Sequence, residues 1–461
     1  MNVWDKYTDP TDILDFCEGY KSFISASKTE REAVKSIRKL AEAAGFRDMQ
    51  AIYQAGGRLA AGDKVYIVKN SKTVSLFVVG RKSPVDGLRL ICSHLDSPRL
   101  DIRPVPVYER EDLAFLKTHY YGGIKKYQWA ALPLALYGVV VKTDGTRVDI
   151  AVGDGEDDPV FYVSDLPKHV SAEQLSMTME KGVTAEDLNV VAGSRPLKDE
   201  TSKRFARALL HLLKERYSIE ERDFVSAELE LVPAGRARDV GFDRSLITAY
   251  AHDDKICVYP SLMSLLALET PEYSCGAVYI DKEEVGNVGN TAMDSHYFEN
   301  VIAQLLEMTG DDSYAALRKC LERSMLLSAD VVLGMDPNWP RNFDDLNTAR
   351  LGWGPVITKY AGRLGKNGAN DANAEFLALV RNLLEAEGIA YQTGEFGRQD
   401  LGGGGTIAPY ASKYGMQVVD MGVALLSMHA PFELASKADI YETCRAYGAF
   451  YRSTSTIEDY Q

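Results

Sequence analysis

The stretch GAVYIDKEEVGN, residues 276–287, joins an apolar run to two adjacent glutamates, Glu283 and Glu284. The run GAVYI has the composition of a buried strand, so the two carboxylates follow directly on what we expect to be the core of a sheet. Burying even one unpaired charge is costly, and other groups must therefore compensate both carboxylates. We expect a functional site at the end of this strand, with its other members elsewhere in the chain.

The composition is that of a folded globular protein, with 461 residues, of which 46% are hydrophobic and 26% are charged. The 66 acidic residues outnumber the 52 basic residues and no Lys/Arg-rich stripe occurs, so neither nucleic acid nor membrane is an expected partner. No apolar run is long enough to span a bilayer, and the acidic N-terminal stretch does not resemble a signal peptide. The six scattered cysteines indicate free thiols, and together these features predict a cytoplasmic location.

Two kinds of residue pattern follow one another along the chain, one typical of an α/β domain and one typical of antiparallel strands. Strand-like runs and amphipathic helices in residues 1–103 and 248–461 predict an α/β domain whose sheet is covered on both faces. Between them, residues 104–247 contain alternating apolar and polar positions and Asp-Gly turns, which predict a β-rich antiparallel module. The simplest organisation is one α/β domain interrupted by a β-rich inserted domain.

Histidines and carboxylates recur where predicted core strands run into loops. His94 ends LRLICSH, His429 follows MQVVDMGVALLSM, Asp253 and Asp254 lie in AYAHDDKICVY, and Asp330 lies in LLSADVVLGMD. Each has an ordinary structural explanation by itself, as a core histidine, a helix cap or a turn residue. In an α/β sheet, however, functional groups gather at the carboxyl ends of strands. Together these nitrogen and oxygen ligands suit a pair of divalent ions bridged by a carboxylate.

The residues next to these ligands suggest a division of tasks. Asp96 lies two residues after His94, and a metal-bound imidazole usually donates its other N–H to a carboxylate. If Glu283 and Glu284 lie in extended backbone, their side chains point to opposite sides and cannot bind one ion in the same way. One of them is then expected to bind metal, and the other to act as the general base on the attacking water.

Seven ordered motifs extend across most of the chain: SHLDSPRLDIRP, HDDK, DKEEVGN, SADVVLGMDPNWP, LGWGPVI, GGGGTIAP and DMGVALLSMHAPFE. They resemble the motifs of the M18 family of metalloaminopeptidases, the aspartyl aminopeptidases, and most closely its bacterial branch. The resemblance implies a mixed-sheet, zinc-exopeptidase-like catalytic domain with an inserted β-rich dimerisation domain. It also implies removal of the N-terminal residue from peptides with two divalent ions per subunit, by default zinc, although manganese or cobalt would fit.

The same resemblance implies roles for individual residues. Glu283 takes the place of the general base, Asp96 that of the acid that orients His94, and Asp253 that of the bridging ligand. The implied metal ligands are His94, Asp253, Glu284, Asp330 and His429. His169, in SDLPKHVSAEQ, matches a position from which family members reach into the neighbouring subunit's site, and the alternative is a surface turn histidine. Assembly into a homodimer through the insertion, and then into a homododecamer, is also implied.

Two departures from the family pattern concern the preferred N-terminal side chain. Where acid-specific members carry a histidine after SADMAHAV, this chain has SADVVLGMD, with Asp336 close by. Thr358 also precedes Lys359, where many members place lysine directly after GPVI. Hydrolysis of acidic N-terminal residues therefore has a rival hypothesis, a deblocking-type aminopeptidase of broad or neutral specificity. A catalytically silent, shell-forming protein of the same fold is a third hypothesis.

Overall fold

The computed structural model describes residues 1–362 and 364–460 of the chain. Contacts within the chain define two compact units. The first comprises Met1–Asp96, Ala237–Met428 and Glu433–Gln461, and the second comprises Ser97–Arg236 and His429–Phe432. These units are defined by contacts alone, and the division into domains at residues 104 and 247 stays a prediction.

Helices occur in both units. The α-helices of the described residues are α1 (Thr11–Ala26), α2 (Glu30–Ala43), α3 (Met49–Gln54), α4 (Ala172–Ser176), α5 (Met179–Gly182), α6 (Arg204–Tyr217), α7 (His252–Leu266), α8 (Tyr297–Thr309), α9 (Tyr314–Arg323), α10 (Ala374–Ala386), α11 (Ala408–Ser412) and α12 (Lys437–Arg452). None of these helices is both long enough and apolar enough to cross a membrane.

The strands of the described residues also belong to both units. They are β1 (Arg47–Asp48), β2 (Lys64–Lys69), β3 (Thr73–Val78), β4 (Arg89–His94), β5 (Arg99–Arg110), β6 (Leu113–Tyr121), β7 (Pro133–Val141), β8 (Arg147–Val152), β9 (Phe161–Tyr162), β10 (Val190–Gly193), β11 (Ala227–Pro233), β12 (Arg238–Val240), β13 (Leu246–Ala249), β14 (Cys275–Ile280), β15 (Met325–Ser328), β16 (Val332–Leu333), β17 (Val356–Thr358), β18 (Gln392–Thr393), β19 (Gln417–Gly422), β20 (Ala424–Leu425) and β21 (Glu433–Ser436).

The first unit is built on a nine-stranded mixed sheet with the order β1-β2-β3-β14-β4-β15-β19-β17-β18. Its four central strands, β14, β4, β15 and β19, run parallel to one another, whereas β3 and β17 run antiparallel to their central neighbours. Ile280 lies opposite His94, and Ser328 lies opposite Cys92. The central strands therefore end at one edge of the sheet, and the structure confirms the predicted α/β class with a mixed sheet.

Strand β14 shows why the run GAVYI is apolar throughout. Ala277 and Tyr279 pack into an apolar cluster that includes residues of α1, α2, α7, α10 and α12. Val278 and Ile280 point to the opposite face and join a second cluster with residues of α8, α9 and α11. A strand covered on both faces needs apolar side chains at consecutive positions, and this requirement produces a continuous hydrophobic run.

The second unit contains a seven-stranded sheet with the order β11-β5-β6-β10-β9-β7-β8. The strand pairs are antiparallel, and an additional pairing of β11 with β7 closes six of the strands into a barrel-like arrangement. Between β5 and β6 the chain turns at Glu111 and Asp112, both of which have positive φ, as type I′ hairpin turns require. A β-rich part in addition to the mixed sheet agrees with the prediction.

The first unit also contains a small antiparallel sheet of three strands, with the order β12-β13-β21. Ala249, the last residue of β13, lies opposite Glu433, the first residue of β21. Helix α7 begins three residues after β13, at His252. This sheet therefore sets the position from which the chain enters α7.

Candidate metal centre

The parallel strands bring three segments of the chain to one edge of the mixed sheet. His94 is the last residue of β4, Glu283 and Glu284 follow β14, and Asp330 lies two residues beyond the end of β15. Because β14, β4 and β15 run in the same direction, these residues all emerge at the carboxyl edge. The position of the opening glutamate pair is thus explained by the order of the strands.

Asp253 and Asp254 reach this edge from the start of α7, and both are buried. Oδ1 of Asp253 lies 3.1 Å from Nε2 of His94, and Oδ1 of Asp330 lies 3.9 Å from the same nitrogen. The backbone N–H of His94 donates to Oδ2 of Asp254 at 3.3 Å. The imidazole of His94 therefore lies beside the carboxylates of Asp253 and Asp330, and its backbone N–H is bonded to a third carboxylate, that of Asp254.

The ligand atoms form three overlapping groups, and in each group the atoms lie within 4.8 Å of one another. His94, Asp253 and Asp330 each belong to two groups, so the side chains surround one connected space. We call this set of six residues the metal centre. The groups are His94, Glu283 and Asp330; His94, Asp253 and Glu284; and Asp253, Asp254 and Asp330.

Electrostatics at the metal centre favour a cation. Burial raises the pKa of Asp254 and Asp330 well above the usual range of a carboxyl group, and nearby carboxylates raise it further. Burial by itself lowers the pKa of His94, but its hydrogen bonds to Asp253 and Asp96 outweigh burial and leave the pKa well above its usual value. Ionised carboxylates are therefore costly here, and a bound divalent ion would remove that cost.

The donor set also fits a metal by its chemistry. One imidazole nitrogen and several carboxylate oxygens suit zinc, and oxygen-rich sites accept manganese as well. Within the metal centre, His94, Asp253, Glu284 and Asp330 are the side chains that would hold the ions. The residues present at the metal centre therefore fit the group that the motifs imply.

The backbone at the two glutamates differs from our expectation. Glu283 and Glu284 open a 3-10 turn, so the predicted extended backbone is wrong at this point. Lys282 before the turn and Gly286 after it have left-handed φ values of 69° and 96°, so the turn is flanked by left-handed backbone on both sides. The side chains nevertheless diverge, because Glu283 groups with Asp330 whereas Glu284 does not.

Asp96 connects His94 to the glutamate turn. Nδ1–H of His94 donates to the backbone carbonyl of Asp96 at 3.0 Å, and Oδ1 of Asp96 lies 3.4 Å from the same nitrogen. The two carboxylate oxygens of Asp96 accept the backbone N–H groups of Glu283 and Glu284, both at 3.1 Å. Asp96 thus contacts the imidazole, and it also anchors the turn that carries both glutamates. Its orienting role stays a prediction.

The two remaining candidate histidines lie in the second unit. Nδ1–H of His429 donates to the carbonyl of Gly123 at 2.9 Å, so the lone pair of its ring is on Nε2. None of the three ligand groups found among the described residues includes His429. His169 is exposed in the 3-10 turn Lys168–Val170. The roles of both histidines stay predictions.

The glycine-rich segment of residues 402–405 passes beside Glu283. A Cβ atom at Gly402 would lie 1.6 Å from the carbonyl oxygen of Phe396, so packing requires glycine at that position. At Gly405 a Cβ atom would lie 3.9 Å from Oε1 of Glu283, and Gly405 itself is exposed. Glycine backbone without side chains therefore lies next to the Glu283 carboxylate, and at Gly405 this backbone is exposed to solvent.

The sequence analysis missed Glu433, whose side-chain carboxylate is bonded to the backbone of Asp253, a residue of the metal centre. Oε2 of Glu433 accepts the N–H of Asp253 at 3.0 Å, and Glu433 is 2% exposed. The available signal was a charged residue in the otherwise small and apolar segment ELAS, a few positions after His429. A buried charge in a short strand requires a partner, and Asp253 provides one.

Comparisons with known proteins agree with these observations. The family profile described as Aminopeptidase I zinc metalloprotease (M18) matches residues 23–451. The Probable M18 family aminopeptidase 1 of Clostridium acetobutylicum is 48% identical over 452 residues, which cover 97% of each chain. The crystal structure of an M18 family aminopeptidase from Thermotoga maritima has a TM-score of 0.93 at 41% identity and 98% coverage of each chain. A structure of an S. cerevisiae mApe1 dodecamer is similar in fold, with a TM-score of 0.76 at 20% identity, over 95% of this chain and 96% of that one.

Proposed function

The chain belongs to the M18 family of zinc metalloproteases, and from that premise we propose that it is a two-metal aminopeptidase. The family assignment made from the motifs is confirmed, and with it a hydrolase that acts on peptide bonds. The observation that carries the two-ion proposal is the overlap of the ligand groups, since His94 and Asp253 each belong to two of them. The proposed reaction removes the N-terminal residue from a peptide.

The proposed ligand set is the one that the motifs imply. Asp253 would be the bridging ligand, zinc is the expected ion, and manganese or cobalt would also be accepted. When bound, the ions would polarise the scissile carbonyl and lower the pKa of the attacking water. The proposed ligands are His94, Asp253, Glu284, Asp330 and His429.

Glu283 is the proposed general base. It accepts a proton from the water whose oxygen bonds to the carbonyl carbon, and it returns that proton to the leaving amine as the C–N bond breaks. The bond from the Glu283 amide to Asp96 fixes the start of the turn from which the side chain extends. Asp96 therefore supports both the proposed base and His94.

The N-terminal residue that the enzyme prefers in its substrate is either acidic or neutral. What supports a neutral or broad preference is the pairing of Lys359, the cation next to the position where many relatives have lysine. Its ammonium group donates to the carboxylate of Asp371 and to the carbonyl of Ala372. A cation that is already paired attracts an acidic substrate side chain less strongly, because the Asp371 charge offsets it.

Self-assembly is the second part of the proposal. We infer a homodimer formed through the β-rich insertion and then a homododecamer, the state of the mApe1 structure similar in fold.

His169, exposed in the second unit, is proposed to reach a neighbouring subunit's site. His169→Ala should then impair hydrolysis while zinc content and particle size stay unchanged. Mixing this variant with a metal-centre variant should restore part of the activity, and a fully active monomer in sedimentation would contradict this part of the proposal.

Chelation and a substrate panel test the proposed function. We expect dialysis against a chelator to abolish hydrolysis of aminoacyl chromogenic substrates, and added zinc, manganese or cobalt to restore it. The panel then decides between acidic and neutral side chains from the ratio of kcat/KM values. A protein that hydrolyses none of the substrates with any metal would support the silent, shell-forming alternative.

A further inference from the structure

The backbone N–H of Asp253 has an unusual hydrogen-bond partner. Amides in the first turn of a helix have no acceptor within the helix, and solvent or a short polar side chain commonly supplies one. Here the acceptor is Glu433, a charged residue from another strand that is 2% exposed. The backbone of Asp253 is not helical, with φ of −74° and ψ of 104°, so its position depends on contacts from outside α7.

The geometry makes this contact rigid. Strands β13 and β21 pair in register from Leu246 opposite Ser436 to Ala249 opposite Glu433. The same segment is therefore held at two places, by the strand pairing at Ala249 and by the side-chain bond at Asp253. Two attachments four residues apart restrict the path of the chain between them.

A second set of buried bonds holds the residue before Asp253. Nδ1 of His252 accepts from the hydroxyl of Tyr20 at 2.7 Å, and Nε2–H donates to the carbonyl of Ile247 at 3.2 Å. These bonds fix the imidazole of His252, whereas the Glu433 bond acts on the next peptide unit. Glu433 therefore contacts the backbone of Asp253 itself, the residue whose carboxylate is the proposed ligand.

We propose that Glu433 is a positioning residue that fixes the carboxylate of Asp253 for metal binding by holding the Asp253 amide. This inference rests on the proposed function, in which Asp253 bridges two ions. Residues that orient metal ligands without touching the metal typically change metal affinity about 10- to 100-fold when they are replaced. Glu433 acts on the ligand's backbone, so its effect depends on reach more than on charge.

Three substitutions at Glu433 separate reach from charge. Glu433→Ala removes the acceptor, Glu433→Asp keeps the charge but shortens the side chain by one methylene, and Glu433→Gln keeps an acceptor oxygen at the same reach. Zinc affinity, measured by competition with a chromogenic chelator, should fall about 10- to 100-fold for Ala and Asp and only a few-fold for Gln. The absorption spectrum of the cobalt-loaded protein should change in the same order, which reports ligand geometry independently of activity.

Asp439 provides a matched control. It is a fully buried carboxylate in α12 that accepts the backbone N–H groups of Gly352 and Gly354, both at 2.7 Å, and neither glycine is a proposed ligand. Asp439→Ala should lower the stability of the metal-free protein in urea without changing zinc affinity. If Glu433→Ala does not fold, the pair of Glu433→Asp and Glu433→Gln decides the question by itself.

Four results would overturn the inference. They are unchanged zinc affinity in all Glu433 variants that fold, Glu433→Asp binding zinc more tightly than Glu433→Gln, an equal loss of affinity in Asp439→Ala, or an unchanged cobalt spectrum. Zinc binding by the wild-type protein distinguishes this failure from that of the proposed function. A wild-type chain that binds no zinc refutes the two-metal enzyme and the inference with it.

Discussion

The first unit contains two groups of partly or fully buried charges that are balanced in opposite ways. In the Asp239 cluster, one carboxylate contacts Lys21 at 2.7 Å, Lys437 at 2.9 Å and Arg244 at 2.7 Å. Burial alone raises the pKa of Asp239, but hydrogen bonds from the three cations outweigh burial and hold the pKa below its usual range. At the metal centre, the pKa of Asp330 is instead raised.

This difference separates a structural cluster from a functional one. The Asp239 cluster supplies its own counter-charges, so its carboxylate is most stable ionised and needs no ligand. Surrounding charges do not offset burial of Asp254 and Asp330, so the metal centre is most stable with a proton or a bound cation. Perturbed carboxylates of this second kind are typical of functional sites.

The largest expected effect distinguishes the two glutamates of the metal centre. Glu283→Gln should lower kcat by about two to four orders of magnitude, because the attacking water loses its base. Zinc content should stay close to that of the wild type. Steady-state kinetics and elemental analysis of the same preparation check both parts, and loss of zinc together with activity would show that Glu283 is a ligand instead.

Glu284→Gln is the matched variant and should act on the metal. Removing a direct ligand should weaken zinc binding at least about as much as removing a residue that orients a ligand, which costs about 10- to 100-fold. Excess zinc should then recover part of the activity of Glu284→Gln but none of the activity of Glu283→Gln. Equal recovery of activity in the two variants would contradict the proposed division of tasks between Glu283 and Glu284.

The Asp239 cluster should respond in stability and not in metal binding. Asp239→Asn leaves Lys437, which is 1% exposed, without the Asp239 charge, and we expect a loss of about 2 kcal/mol in the free energy of unfolding, the size typical of a hydrogen bond to a charged group. Zinc affinity should be unchanged. A suitable control is Glu387→Gln, which breaks the exposed pair with Arg452 and should cost less than about 1 kcal/mol. A change in zinc binding by Asp239→Asn would show that the two clusters are coupled.

The smallest effect is the pH dependence of stability. The pKa of Asp239 is lower in the folded protein than in the unfolded chain, so the folded state binds fewer protons in acid. The stabilisation is complete above the unfolded pKa of about 3.9 and is lost as the pH falls below it. Urea unfolding between about pH 5 and pH 3 should therefore show a shallower loss of stability in Asp239→Asn than in the wild type. Equal slopes would contradict the lowered pKa.

Features that follow from local residue patterns could be predicted from the sequence, whereas features that depend on contacts between distant residues could not. The position of His94, Asp330 and the two glutamates could be predicted because each follows an apolar strand, and parallel strands end together. The 3-10 turn could not be predicted from local signals, because Lys282 adopts left-handed φ without being glycine or asparagine. Long-range bonds from Asp96 to both glutamate amides accompany that turn, and a single sequence does not reveal them.

Glu433 illustrates the same limit at the metal centre. Its contact with Asp253 joins residues 180 positions apart and depends on the pairing of two four-residue strands. Residue patterns over such short strands are too brief to specify a partner strand. A charged residue in a small, apolar segment was visible in the sequence, but its burial and its bond to the Asp253 amide are visible only in the fold.

The number of zinc ions that the metal-free protein binds tests the central claim most directly. Calorimetric titration of the wild-type chain should give two zinc ions per chain, and Asp239→Asn should also bind two, because its cluster lies outside the metal centre. A wild-type chain that binds one ion or none, and that still hydrolyses peptides at full rate after chelation, would contradict the assignment of the carboxyl-edge residues to a two-metal site.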